Sequence, residues 1–234
     1  MAPTLNSSQR HPGLAFLRFV LKLFYHRHAM IGTEHIQQDA PAVYVCNHLD
    51  TYAPIILMLY FPYPFRPWVH ANMTSPDLCR DFLEVDFVQK TLKLKPPVSR
   101  WVAALLAPLS LGVMKAVNAI PVYSGKMRIR DTLSISIETL KQGGNLVIFP
   151  ESKTKRFSEF LNDFHVGFVH LARRYFKSTG DYLRFYPVYV NPNNKTISIG
   201  HPTVYSAGGD FHRERQRIVA YLRDTINRMA AGQE

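Results

Sequence analysis

Pro41-Ala-Val-Tyr-Val-Cys46, followed by Asn47-His48-Leu49-Asp50, is the stretch on which the fold turns. Small, aromatic and β-branched residues in a short unbroken run read as a buried strand. Beyond it, Pro54–Tyr60 is apolar enough for a buried helix. Asn47 and His48 therefore stand at a strand-to-helix junction. Strand carboxyl ends in an α/β sheet face the crevice where ligands bind, so this junction is a candidate site.

The pattern recurs along the chain. Val98 to Ala119 is a long apolar stretch, read as a kinked helix or two short helices around Pro108, leading into a strand over Ala119–Tyr123. Arg130–Lys141 carries Leu133, Ile137 and Leu140 at helical spacing, Gly143-Gly144 suits a helix stop, and Asn145–Pro150 reads as a strand. A helix from Val166 to Phe176 precedes a strand over Leu183–Val190, a hairpin through Asn191–Asn194 and a strand over Thr196–Gly200. The last helix, Gly209–Met229, has Phe211, Ile218, Leu222 and Ile226 on its apolar side. Alternating strands and helices predict an α/β layered domain with a largely parallel sheet flanked by helices, plus an N-terminal amphipathic helix. No internal repeat is present.

That N-terminal helix is Leu14–Tyr25, where Leu14, Phe16, Leu17, Val20, Leu21, Leu23 and Phe24 surround Arg18 and Lys22. Such a helix lies in a lipid interface with its cations toward anionic headgroups, or packs on a core. We divide the chain into residues 1–30, a basic amphipathic membrane-contact segment, and residues 31–234, one domain. The 28 Lys and Arg against 17 Asp and Glu give a net charge of +11, which favours an anionic partner. No zinc-finger spacing, RNP-like strand or basic zipper is present, so nucleic acid is not expected. Two cysteines, Cys46 and Cys79, fit a reducing compartment, and no signal peptide is recognised at the N-terminus. Because Pro108 interrupts Trp101–Met114, no spanning stretch is expected, and the chain is placed peripherally at the cytoplasmic face of a membrane. No His-x-x-x-His pair with a nearby acid suggests a metal, and no Gly-x-Ser-x-Gly elbow suggests a serine nucleophile.

Three strand ends carry polar chemistry: Asn47-His48 with Asp50; Lys126 with Arg128 and Arg130; and Glu151 with Lys153, Lys155 and Arg156. Brought together, they would set a base beside a cationic anion site. A histidine can take the proton of an attacking hydroxyl while a carboxylate fixes its tautomer, and Lys and Arg can clamp a phosphate. In an extended segment, His48 and Asp50 would share a face. Asp50 has a second reading, as the N-cap of the following helix.

The order of these segments resembles the glycerolipid acyltransferases, the family of the lysophosphatidic acid acyltransferases, from about Gly32 to Tyr205. The family's Asn-His pair after the first strand is matched by Val45-Cys-Asn-His48. Its Ile-Pro-Val strand with a following basic residue resembles Ile120-Pro-Val-Tyr-Ser-Gly-Lys126. Its Phe-Pro-Glu-Gly-Thr-Arg signature is similar to Phe149-Pro-Glu-Ser-Lys-Thr154, its later Phe-Lys-x-Gly element resembles Phe164-His-Val-Gly167, and its Pro-Val strand resembles Phe185-Tyr-Pro-Val188. In the family an Asp stands five positions after the His; here that position is Ala53, and Asp50 is the nearest acid. The resemblance implies transfer of an acyl group from an acyl-CoA or acyl carrier protein thioester to a lysophospholipid or glycerol phosphate, with no cofactor. It implies catalysis by His48, for which the residues themselves offer Asp50 or a carboxylate from elsewhere in the fold as the orienting acid, an acceptor site of Lys126, Glu151, Lys153, Lys155 and Arg156, and supporting roles for Asn47, Ser152 and Thr154. A catalytically silent lipid-binding protein that keeps the fold is the alternative.

Overall fold

The computed structural model describes residues 12–123, 129–150 and 166–233. The first half runs α1 (Pro12–Phe24), β1 (Ala29–Ile31), β2 (Ala42–Cys46), α2 (Tyr52–Tyr60), β3 (Phe65–His70), α3 (Pro76–Leu83) and α4 (Val98–Ala116). It continues through β4 (Ile120–Val122), α5 (Ile129–Lys141), β5 (Asn145–Ile148), α6 (His170–Thr179), β6 (Arg184–Asn191), β7 (Thr196–Ile199), β8 (Thr203–Val204) and α7 (Phe211–Ala230). The described residues form two compact units, one of residues 17–65, 133–150 and 166–233, the other of residues 12–16, 66–123 and 129–132.

In the first unit β1, β7, β6, β2 and β5 lie side by side in that order, with β8 also on β6. The β1–β7, β6–β2 and β2–β5 pairs are parallel, and β7 and β8 run antiparallel to β6. The sheet is therefore mixed and mostly parallel, in the α/β class expected. Every residue of β2 is buried, as is β6 between its two ends, because both faces of the sheet are covered. Strands covered on both faces are apolar throughout instead of alternating, which is how the two runs read in sequence. The core on one side gathers Tyr44, Ala53, Ile56, Leu57, Tyr186 and Ile197. Gly32 has φ 76°, and a Cβ there would fall 2.0 Å from the Ile199 carbonyl oxygen. Only glycine lets the chain after β1 press so closely on the end of β7.

α7 is fixed by a polar bracket. Asp210 caps it by accepting from Arg213 N at 2.9 Å. Buried Glu214 accepts from Arg217 at 2.6 and 2.9 Å and from Ser206 N at 2.7 Å, while Arg217 also donates to Thr203 Oγ1 and the Val204 carbonyl. The hydrogen bond from Arg217 holds the Glu214 carboxyl below its ordinary range. A carboxylate depressed in the folded state stabilises above its unfolded pKa of about 4.3, and that contribution is lost as pH falls through the lower folded value. Glu214→Ala leaves the Ser206 amide without its acceptor and Arg217 with only Thr203 and Val204, so we expect it to cost about 1–3 kcal/mol in a urea titration at neutral pH. The difference from wild type should shrink in acid.

α1 has Leu17, Val20 and Leu21 half-buried yet leaves several large apolar side chains in water. Phe16, Phe19, Leu23 and Phe24 are exposed. Arg18 is half-buried and donates to the Leu59 carbonyl at 3.3 Å, and Lys22 lies 5.7 Å from the centre of the Tyr60 ring. Desolvation lowers the Arg18 pKa. Of the two readings of this helix, α2 engages Arg18, while Lys22 stays exposed beside the Tyr60 ring.

In the second unit β3 and β4 are parallel, with Trp68 opposite Ile120. Around Cys79, Leu83 and Ala107, α3 and α4 share a small core with Met73, Phe87, Leu106 and Leu111. Pro108 does not break α4, which runs unbroken for 19 residues and is long and apolar enough to cross a bilayer. This corrects the expectation that no such stretch exists. A proline removes one helical N–H bond and crowds the preceding turn, but the flanking helix formers carry the path through.

Candidate active site

The last backbone pair between β2 and β6 is Cys46 opposite Val188. At the next step a side chain takes over. Asn47 Oδ1 accepts from Val190 N at 2.8 Å, and Asn47 Nδ2 donates to the Val190 carbonyl at 3.1 Å. Its carboxamide stands in for a peptide group, so β2 can leave the sheet without stranding the buried Val190 amide and carbonyl.

The chain then turns sharply. Leu49 and Asp50 have φ 46° and 58°, consecutive left-handed residues that are not glycine. Such a conformation costs about 1–2 kcal/mol per residue and persists where the surroundings over-determine it. Three things do so here: the Asn47 clamp behind the turn, the bond from Tyr52 N to the Leu49 carbonyl at 3.0 Å, and the packing of Leu49 on the core. The premise of an extended segment that puts His48 and Asp50 on one face is corrected by this turn. Nor does Asp50 hold the N-cap position of α2; that residue is Thr51. Asp50 is open to water on one side, yet desolvation raises its carboxyl above the ordinary value. Ala53 is fully buried in the core.

His48 is half-buried and meets Phe149 edge-on, ring centres 5.0 Å apart at 78°. Phe149 directly follows β5, whose register sets Ile148 opposite Val45. The carboxyl ends of β2 and β5, which carry the first and third polar blocks, are therefore neighbours. Phe149 as the wall of the histidine was missed in sequence, although it opens the Phe-Pro-Glu block. Tyr52, the first residue of α2, meets His28 Nε2 through its hydroxyl at 3.1 Å, while His28 Nδ1 lies 2.9 Å from the His26 carbonyl. Burial lowers the His28 pKa, which favours a neutral ring that ties α2 to the segment after α1. This tether was also missed, since nothing in the spacing of His28 and Tyr52 reports it.

The sequence profile of a protein family described as acyltransferase matches residues 27–191. The chain belongs to the PlsC-type acyltransferase family. Among solved structures, the acyltransferase domain is similar to the 1-acyl-sn-glycerophosphate (LPA) acyltransferase PlsC from Thermotoga maritima, at 14% identity and a TM-score of 0.56. That likeness covers 92% of this chain and 76% of the other and concerns the fold. A search of curated protein sequences found no match.

Within the acyltransferase domain the matched region begins just ahead of β1 and ends with β6, so it contains the Asn47 clamp, the left-handed turn and the His48–Phe149 contact. Lys126, Glu151, Ser152, Lys153, Thr154, Lys155 and Arg156 lie outside the described residues. Among the described residues, no three His, Cys, Asp or Glu side chains gather as metal ligands would.

Proposed function

We propose that this acyltransferase moves a fatty acyl group from an acyl-CoA or acyl carrier protein thioester to a hydroxyl of a lysophospholipid or glycerol phosphate. The observation that carries the reading is His48, held at the carboxyl end of β2 against Phe149 in a chain of this family. His48 takes the proton of the acceptor hydroxyl as its oxygen attacks the thioester carbonyl. The new C–O ester bond forms, the C–S bond breaks, and the proton passes from His48 to the departing thiolate. Asp50, or a carboxylate from elsewhere in the fold, orients the imidazole. Lys126, Lys153, Lys155 and Arg156 receive the acceptor's phosphate, with Glu151 beside it and Ser152 and Thr154 in support. Asn47 fixes the turn that presents His48. No metal or cofactor takes part.

We place the chain peripherally at the cytoplasmic face of a membrane, with residues 1–30 in contact with anionic lipid. The outward Phe16, Phe19, Leu23 and Phe24 of α1 support contact with the apolar layer. A second reading, a silent lipid-binding protein, is favoured by Ala53, buried where the family carries its acid.

Thiol release from mixed acyl thioesters with lysophospholipid acceptors separates the two. Acyl transfer requires release by wild type and its loss in His48→Ala; a further fall of about tenfold or more in Asp50→Asn would assign the orienting carboxylate to Asp50, and wild-type release in that variant would assign it elsewhere. A wild type without release, beside an active Ala53→Asp, would assign the silent reading.

A further inference from the structure

α4 is packed on one side only. Ser99, Ala103 and Ala107 form its buried face, and Ser99 Oγ is bonded to Glu84 Oε1 at 2.8 Å where the first turn meets the segment after α3. On the opposite side Val98, Trp101, Leu105 and Leu109 follow one another at helical spacing, and all four are exposed, Trp101 and Leu105 by 77% each. Pro108 and Gly112 complete that side, which carries no charged residue. A soluble surface seldom leaves a large apolar strip of this kind open to water.

The charges around the strip select its occupant. No acidic residue occurs between Asp86 and Asp131, and among the described residues that span holds Lys90, paired with Asp86 at 2.6 Å, together with Lys93, Lys95, Arg100, Lys115 and Arg130. Lys93 and Lys95, both exposed, lead into the helix and Lys115 lies in its last turn, whereas Arg100 turns to Glu84 at 3.8 Å on the packed side. Trp101 combines an apolar body with an N–H donor, as residues at a membrane–water boundary do. A strip of bulky apolar side chains bordered by cations matches the headgroup layer of an anionic bilayer, where the side chains enter the upper acyl region and the cations meet phosphates.

We infer that the Val98–Trp101–Leu105–Leu109 face of α4 docks in the plane of an anionic lipid surface, with the helix lying along the membrane instead of crossing it. The packed face decides the orientation. A spanning helix would carry α3, packed on mid-helix Ala107 through Cys79 and Leu83, into the hydrocarbon together with its Asp77, Arg80 and Asp81, whereas a helix lying flat keeps them on the aqueous side. This inference does not rest on acyl transfer.

The test uses the full chain and substrate-free vesicles of phosphatidylcholine with or without phosphatidylglycerol. We expect the wild type to bind the anionic vesicles and to be released by salt. Trp101 emission should shift to the blue, a shift missing in Trp101→Phe, with stronger quenching by lipids brominated near the headgroup than near the chain end. Leu105→Glu, at a side chain that touches little of the protein, should keep the wild-type circular dichroism and lose about tenfold or more in vesicle affinity. Leu109→Glu should repeat that loss. Wild-type vesicle affinity in both variants would overturn the proposal, as would salt-resistant, chain-depth quenching, which marks a spanning helix. A Leu105→Glu variant that turns a dimer into a monomer with vesicle binding intact would assign the strip to a second copy of the chain and overturn it too. Failure of the acyl transfer assay with vesicle docking preserved would count against the catalytic reading alone.

Discussion

Acyl transfer by His48→Ala is expected to fall about 10²- to 10⁴-fold, the contribution of a positioned general base. The loss should lie in kcat with KM little changed, because the proton moves only as the hydroxyl attacks. A structural histidine would behave otherwise, lowering stability and leaving the turnover of folded protein intact. The position permits a clean comparison: His48 is half-buried at the end of a strand, beside the Phe149 ring, and not among the fully buried side chains of the core. His48→Gln keeps bulk and hydrogen-bonding capacity without basicity near neutral pH, and should be as impaired as the alanine variant. Initial rates over a range of acceptor concentrations, with melting curves of the same preparations, separate the two roles.

The largest stability effect is expected at Asn47. Removal of its carboxamide leaves Val190 N–H and C=O, on a fully buried residue, without their partner. Each orphaned group costs about 1–3 kcal/mol, so Asn47→Ala should lower the unfolding free energy by about 2–5 kcal/mol. A reduced urea midpoint with an unchanged slope would show it. Asn47→Asp isolates the geometry further, since one carboxylate oxygen can still accept from Val190 N while the other opposes the Val190 carbonyl. We expect it to be at least as destabilised as the alanine variant. Because Asn47 also fixes the start of the left-handed turn, transfer should fall in both variants even under conditions where the protein is folded.

The fold was largely legible. β2, β5 and β6 announced themselves as short β-rich runs because a strand buried on both faces has no polar side to interrupt it. α5 and α7 showed a helical period because each has one apolar face. β3 was passed over: Phe65–His70 contains Pro67 and does not alternate, and its extension depends on pairing with β4, more than fifty residues away. The helix ahead of β6 begins with a 3-10 turn over Val166–Val169 before α6, a distinction that spacing does not encode. Of the two readings at Pro108, two short helices do not occur, since the proline signal is local and the flanking helix formers carry α4 through it.

The site was legible in its residue types and less so in its geometry. The strand-end placement of Asn47 and His48 followed from the strand-to-helix junction. That Asn47 spends its whole side chain on Val190, 143 positions further on, could not be read from a dipeptide. The turn at Leu49 and Asp50 was equally hidden, because leucine carries no signal for a positive φ. Propensity argues against that conformation at such a residue, and only the clamp and the core packing around it override the preference.

The clamp has a consequence for how the site is watched. The Val190 N–H is bonded to the Asn47 side chain, so its hydrogen–deuterium exchange is expected to respond to loosening of the Leu49–Asp50 turn that Asn47 anchors. Exchange at Val190 becomes a reporter of occupancy that needs no turnover: a molecule that braces the turn slows it, one that merely adheres elsewhere leaves it alone, and a screen of acceptors can be read on the protein itself.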